Sequence, residues 1–158
     1  MPLIVKGIDE ACTVSDVNLL AENEGLSGFR DVLGFSLTEW KEGQVVIEAP
    51  VSGQHMNRNG FVHGGVVSSL LDSAAGLAGT FCPVPGHIRR CSTISLNTQF
   101  MAPVQSGVMI ATARQLSRGR KIFFVEASVT CNGILVATAQ GSFRYIFGGE
   151  HEQGVPVQ

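Results

Sequence analysis

Charge is scarce in this chain: Asp, Glu, Lys and Arg make up 15% of its 158 residues, and the formal net charge is −2. Nucleic-acid binding needs a basic face that displaces counterions from phosphates, so no nucleic-acid partner is indicated. The four cysteines, Cys12, Cys82, Cys91 and Cys131, form no CxxC pair, and the four histidines stand at no zinc-ligand spacing. Reduced thiols and no metal are expected. The opening MPLIVKGIDEACTVSD has one Lys, an acidic residue by position nine and no sustained apolar stretch. That argues against a signal peptide or membrane anchor and makes the cytoplasm the expected compartment. No GxSxG elbow surrounds Ser68 or Ser69, and no Walker or dinucleotide glycine pattern occurs, so neither a serine nucleophile nor nucleotide chemistry is signalled. Internal repeats and linkers are lacking too.

What is present is apolar. At 158 residues the chain suits one domain with a real core, and 44% hydrophobic content with so little charge implies surface buried against a partner or another copy. From Ser15 to about Val32 apolar residues recur in a helix-like pattern that Gly25 and Gly28 interrupt, with Ser15 the expected helix start. Phe35 to Trp40 and Gln44 to Ala49, joined by Lys41-Glu42-Gly43, read as a hairpin that Pro50 terminates. After the polar loop SGQHMNRNG, the run from Gly64 to Gly79 is apolar almost all round, the pattern of a buried helix, and Pro83 and Pro85 end it. Four alternating segments follow, Arg89 to Met101, Gly107 to Leu116, Lys121 to Cys131 and Ile134 to Tyr145, with Asn132-Gly133 the strongest hairpin signal. The expected class is α+β, an antiparallel sheet of about six strands wrapped on one long central helix. Residues 1–32 form an N-terminal helical segment, 33–146 the domain proper and 147–158 a flexible tail.

Two features of the helix carry chemistry. Gly64 and Gly65 open it, and glycines there let a ligand approach backbone N–H groups that have no partner inside the helix. With the helix dipole added, a carbonyl oxygen becoming an oxyanion would be stabilised at this end; close packing of helix on strand is the plainer use of the same glycines. Asp72 is a lone carboxylate two turns on, in a stripe of small residues with Gly65, Ser68, Ser69, Ala75, Gly76 and Gly79. Unpaired there it would be costly, so it meets a partner, reaches water at an interface or belongs to a site. A carboxylate so placed can act as general base on water or attack an acyl carbon itself.

At NRNGFVHGGVVSSLLDSAAG the chain resembles the hotdog thioesterases of the phenylacetic-acid-degradation type, marked by HGG at the start of the central helix and an acid eight positions past its first glycine. The likeness runs from about Leu33 to Tyr145. It implies a hotdog fold and hydrolysis of an acyl-CoA thioester, with coenzyme A part of the substrate and no cofactor. It also implies a homodimer, or a tetramer built from dimers. In that family a side-chain amide seven positions before the first glycine of HGG holds the thioester carbonyl or its water, and Asn57 stands there. The family's main-chain oxyanion donor corresponds to Gly64, with Gly65 beside it, and the helix acid, contributed by the opposing subunit, corresponds to Asp72. A hydroxyl on the strand after the helix corresponds to Thr93, and His63 braces the loop by hydrogen bonding. The turn SRGRK, with Arg118, Arg120 and Lys121, resembles the region where relatives meet the phosphates of coenzyme A; a solvated turn explains the same charges. A hotdog dehydratase or hydratase, and an acyl-CoA sensing module without turnover, are the competing readings.

Overall fold

A computed structural model describes residues 13–24, 28–147 and 153–156. Helix α1 spans Val14–Glu24 and α2 Phe29–Leu33, ahead of strands β1 Ser36–Lys41 and β2 Gln44–Pro50. A single 3-10 turn, Gly53–His55, leads to the long helix α3, Gly64–Thr80. Then come β3 His87–Ile88, β4 Arg90–Phe100, β5 Val108–Arg118, β6 Ile122–Cys131, β7 Ile134–Phe147 and β8 Val155–Pro156. Six of these strands form one sheet in the order β1-β2-β5-β6-β7-β4, every neighbour antiparallel. This is the hotdog arrangement of a sheet around a central helix. Asn132 and Gly133 take positive φ values of 52° and 75°, the pair of left-handed residues that a two-residue hairpin turn requires.

Period-2 alternation decides which side of the sheet meets α3. Met109, Ala111, Phe123, Val125, Val129, Ala137 and Phe143 face inward and are buried, as are Val67, Leu70, Leu71, Ala74 and Ala78 of the helix. Gly79 lets the helix cross β6: a Cβ there would sit 2.0 Å from the Phe123 ring, which itself stacks on Phe143 at 5.2 Å. The last turn of α3 leaves carbonyls without helical partners, and side chains fill them. Trp40 Nε1 donates to Leu77 O at 2.9 Å, Tyr145 OH to Gly79 O at 2.7 Å and the buried Arg89 Nη1 to Phe81 O at 2.6 Å.

Three sequence expectations change in detail. The N-terminal helix starts at Val14, not Ser15, because Thr13 and Asp16 exchange the capping bonds: Thr13 N–H donates to Asp16 Oδ2 at 3.0 Å and Asp16 N–H to Thr13 Oγ1 at 3.3 Å. Helix α3 is not buried all round, since Ser68, Ser69, Asp72 and Gly76 are only half-buried and Gly65 is exposed. In the stretch expected as a loose tail, Val155–Pro156 pair with His87–Ile88. Among the described residues no helix is long and apolar enough to cross a membrane.

Candidate active site

The sheet and α3 bring Asp72 and Thr93 together. Thr93, on β4, donates from Oγ1 to Asp72 Oδ1 at 2.7 Å, a charge-assisted bond that fixes the carboxylate. Both line a cleft of about 400 Å³ that continues past Gly76, Leu77, Cys91 and Phe143 towards Phe35 and Arg30. Burial, and then the charge of Asp72, push the Cys91 thiol up to about 11, so it stands as a neutral thiol beside the carboxylate and is no competing nucleophile.

The start of α3 gathers hydrogen-bond donors. His63 is its N-cap: His63 Nδ1 accepts from Gly65 N–H at 2.8 Å, and His63 O accepts from Val66 N–H at 2.9 Å and Val67 N–H at 3.4 Å. A Cβ on residue 65 would lie 2.9 Å from that ring nitrogen, so the second glycine of HGG makes room for the cap. This leaves Gly64 N–H as the first-turn donor with no partner among the described residues. Asn57 is held the same way. Its Oδ1 accepts from Asn59 N–H at 2.8 Å and Phe61 N–H at 3.2 Å, an Asx-type turn that fixes the amide plane. Asn57 Nδ2 makes no hydrogen bond among the described residues, and it shares with Gly64 a recess of about 360 Å³ walled by Phe61, Phe100, Met101 and Val104. The loop is tied down at Val62 N–H to Val104 O, 2.8 Å, and at His63 N–H to His55 O, 2.8 Å. The second of these gives a use to His55, which carried no signal in the sequence: it is buried, and its Nδ1 accepts from Ser52 N–H.

Donors and acid are thus two separate groups in one chain. Asp72 is eight residues beyond Gly64, about 12 Å at the helical rise of 1.5 Å per residue. The basic turn is a third group, near the C-terminal end of α3, where Lys121 O accepts from the N–H of Tyr145 at 2.9 Å. Arg118 lies over the Tyr145 ring at 5.4 Å and 3.9 Å from Glu42, whereas Arg120 and Lys121 are exposed. A concavity of about 750 Å³ is on the outer side of the sheet, where Arg114 and Glu126 pair at 2.6 Å among amides and hydroxyls; it gathers no catalytic group. No cluster of three potential metal ligands occurs among the described residues. Cys82, Cys91 and Cys131 are free thiols, and Cys12 lies outside the described residues.

The sequence profile of the thioesterase superfamily matches residues 59–138, from the donor loop into the start of β7. The chain belongs to the thioesterase superfamily. This thioesterase is 30% identical to human acyl-coenzyme A thioesterase 13 over 118 residues, which cover 72% of the chain and 80% of the relative. A conserved protein from Pseudomonas aeruginosa superimposes with a TM-score of 0.70 at 28% identity, over 80% of the chain and 99% of that structure. The phenylacetic acid degradation protein PaaI from Thermus thermophilus, in a mutant form, does so with a TM-score of 0.64 at 25% identity, over 73% and 96%. The protein is a thioester hydrolase. Two residues of the Asp72 cleft escaped the sequence reading: Cys91, which period-2 alternation from Thr93 could have placed, and Arg30, which no local pattern signals.

Proposed function

We propose that this thioesterase hydrolyses acyl-CoA thioesters in a site made by two copies of the chain. The observation that carries the proposal is the layout of β4. Near one end Thr93 holds Asp72; at the other Phe100 stands against Gly64, 3.5 Å from where a Cβ would be. Among the described residues strand β4 pairs only with β7 and leaves an open edge, on which Ile94, Phe100 and Met101 are more than half exposed. Antiparallel pairing of two such edges about a two-fold axis sets the Thr93 end of one strand opposite the Phe100 end of the other. The acid of one subunit then faces the donors of its partner, and each dimer has two sites.

In such a site the thioester oxygen accepts from Gly64 N–H and Asn57 Nδ2, both preorganised and without partners among the described residues. Asp72 of the partner subunit, held through Oδ1 by Thr93, takes a proton from water as the water oxygen adds to the carbonyl carbon. Collapse of the tetrahedral intermediate expels coenzyme A as its thiolate, which the proton on Asp72 then neutralises. His63 and Gly65 shape the helix start. The basic turn of Arg118, Arg120 and Lys121 meets the phosphates of coenzyme A.

Mixing two defective proteins tests this reading. Asp72→Asn and Asn57→Ala homodimers each have two damaged sites, whereas a heterodimer combines both lesions in one site and leaves the other intact. Subunit exchange at equal concentrations is expected to restore about a quarter of wild-type thiol release, from the statistics of a two-fold dimer. No recovery after demonstrated exchange would place both groups in one subunit's site and defeat the proposal; absence of turnover by the wild type on any acyl-CoA would favour a sensing module.

A further inference from the structure

We infer that the cleft behind Asp72 is the chamber for the acyl group, with Gly76 setting its width and the clamp that Arg30 makes between α1 and α2 forming its end wall. The inference rests on the acyl-CoA reading above. Gly76 is one helical turn past Asp72 and so faces the same side of α3. A Cβ there would be 3.4 Å from Cys91 Sγ and 3.8 Å from Phe143 Cε1, so the missing side chain is what keeps the passage open. Cys91 precedes Thr93 by two residues on β4 and shares its face. Beyond Gly76, Leu77, Phe143 and Phe35 give the cleft apolar wall that suits hydrocarbon, alongside the polar Thr80, Arg89, Arg90 and Glu22. The total of about 400 Å³ falls within the range of small-molecule pockets.

The far end is stiff. Arg30 Nη1 donates to Glu22 O at 2.7 Å, Nη2 donates to Asn23 Oδ1 at 2.8 Å, and the guanidinium lies over the Phe35 ring at 4.9 Å. Its side chain is only 13% exposed. Asn23 in turn is bonded in both directions to the Leu37 backbone, at 2.8 and 2.9 Å, so the wall is anchored to β1. Rigid end walls impose a length limit on what enters, because an over-long chain must displace packed groups.

The test is a chain-length series of saturated acyl-CoAs, from acetyl to palmitoyl, assayed for thiol release with wild type, Gly76→Leu, Gly76→Ala and Arg30→Ala. The readout is the ratio of kcat/KM between long and short chains. Gly76→Leu should cut that ratio about tenfold or more, the discrimination that a few methylenes give in a pocket. Gly76→Ala, which favours the helix and fits at near-contact distance, should cut it less and serves where Leu prevents folding. Arg30→Ala should move the length limit upward. Equal losses at every length for the Gly76 variants, or an unmoved limit for folded Arg30→Ala, would overturn the inference. The same proteins are titrated calorimetrically with S-alkyl-CoA thioethers, which cannot be hydrolysed. Length-dependent thioether binding that shifts in the variants, without turnover of any ester, would keep the chamber and remove the hydrolytic reading. Length-independent binding to the wild type would remove the chamber.

Discussion

The two edges of the six-stranded sheet are treated oppositely by the same chain. At β1 the edge is covered from within: α1 lies along it, and Asn23 both donates to Leu37 O and accepts from Leu37 N–H. At β4 an edge of eleven residues is left open, with Ile94, Phe100 and Met101 exposed. Natural sheets blunt their edges with charge, proline or covering segments, because an unpaired strand invites another chain. Here the covered edge anchors the Arg30 wall of the Asp72 cleft, and the open one bears Thr93. The contrast separates an edge that the chain closes itself from one that the proposed dimer would close.

The most severe way to break the open side leaves its shape alone. Asp72→Asn is nearly isosteric and keeps the helix packed, but it removes the charge that, in the proposed mechanism, takes a proton from water. Turnover should fall by ~10²-fold or more, the lower range for loss of a general base, with sedimentation unchanged and the thermal midpoint level or raised, since a carboxylate on this helix is held at some cost. Normal activity in a folded variant would mean that the mechanism is wrong.

Thr93→Val keeps a β-branched residue in the strand and deletes the bond to Asp72 Oδ1. The fixed carboxylate becomes mobile, and kcat should fall about tenfold, or ~1.4 kcal/mol, with KM little affected if the hydroxyl acts through Asp72 alone. A change confined to KM would assign Thr93 to substrate contact.

Much of this was legible in the sequence, and what was not has physical reasons. Alternation in β5, β6 and β7 and the Asn132-Gly133 turn gave the strands because burial on one face writes a period of two. HGG with an acid two turns on drew attention to Gly64 and Asp72, and the family likeness added Asn57; the roles of all three stand as proposals. The Asp72–Thr93 contact joins elements 21 residues apart, and only the family likeness anticipated it. The half-open face of α3 was read as buried because Gly, Ser and Ala are compatible with either setting. That Gly65 serves the His63 cap while Gly64 N–H has no partner among the described residues is a matter of ring placement, which no spacing of letters contains.

Ile94→Lys works on the open edge itself. An ammonium at a strand edge that pairs as proposed must be desolvated or must hold the strands apart, and lysine there is a common device against association. The dissociation constant of the assembly should rise about tenfold, ~1.4 kcal/mol, so that activity per chain falls on dilution and recovers on concentration. Sedimentation and thiol release over one dilution series read both quantities. Activity that stays constant as the assembly dissociates would show the site complete in one chain.

The covered edge should answer differently. Asn23→Ala removes both bonds to Leu37 and the acceptor for Arg30 Nη2, leaving half-buried backbone groups on β1 without partners. Each such group carries a desolvation penalty, so the variant should lose ~1–3 kcal/mol. For a domain of this size that lowers the thermal midpoint by about 2–4 °C per kcal/mol, measured at a fixed protein concentration because assembly itself adds apparent stability. Sedimentation at room temperature should be unchanged, since nothing on β4 is touched. If Asn23→Ala instead shifted the assembly equilibrium as far as Ile94→Lys does, the two edges would be coupled through the sheet, and the division between a folding edge and a completing edge would fail.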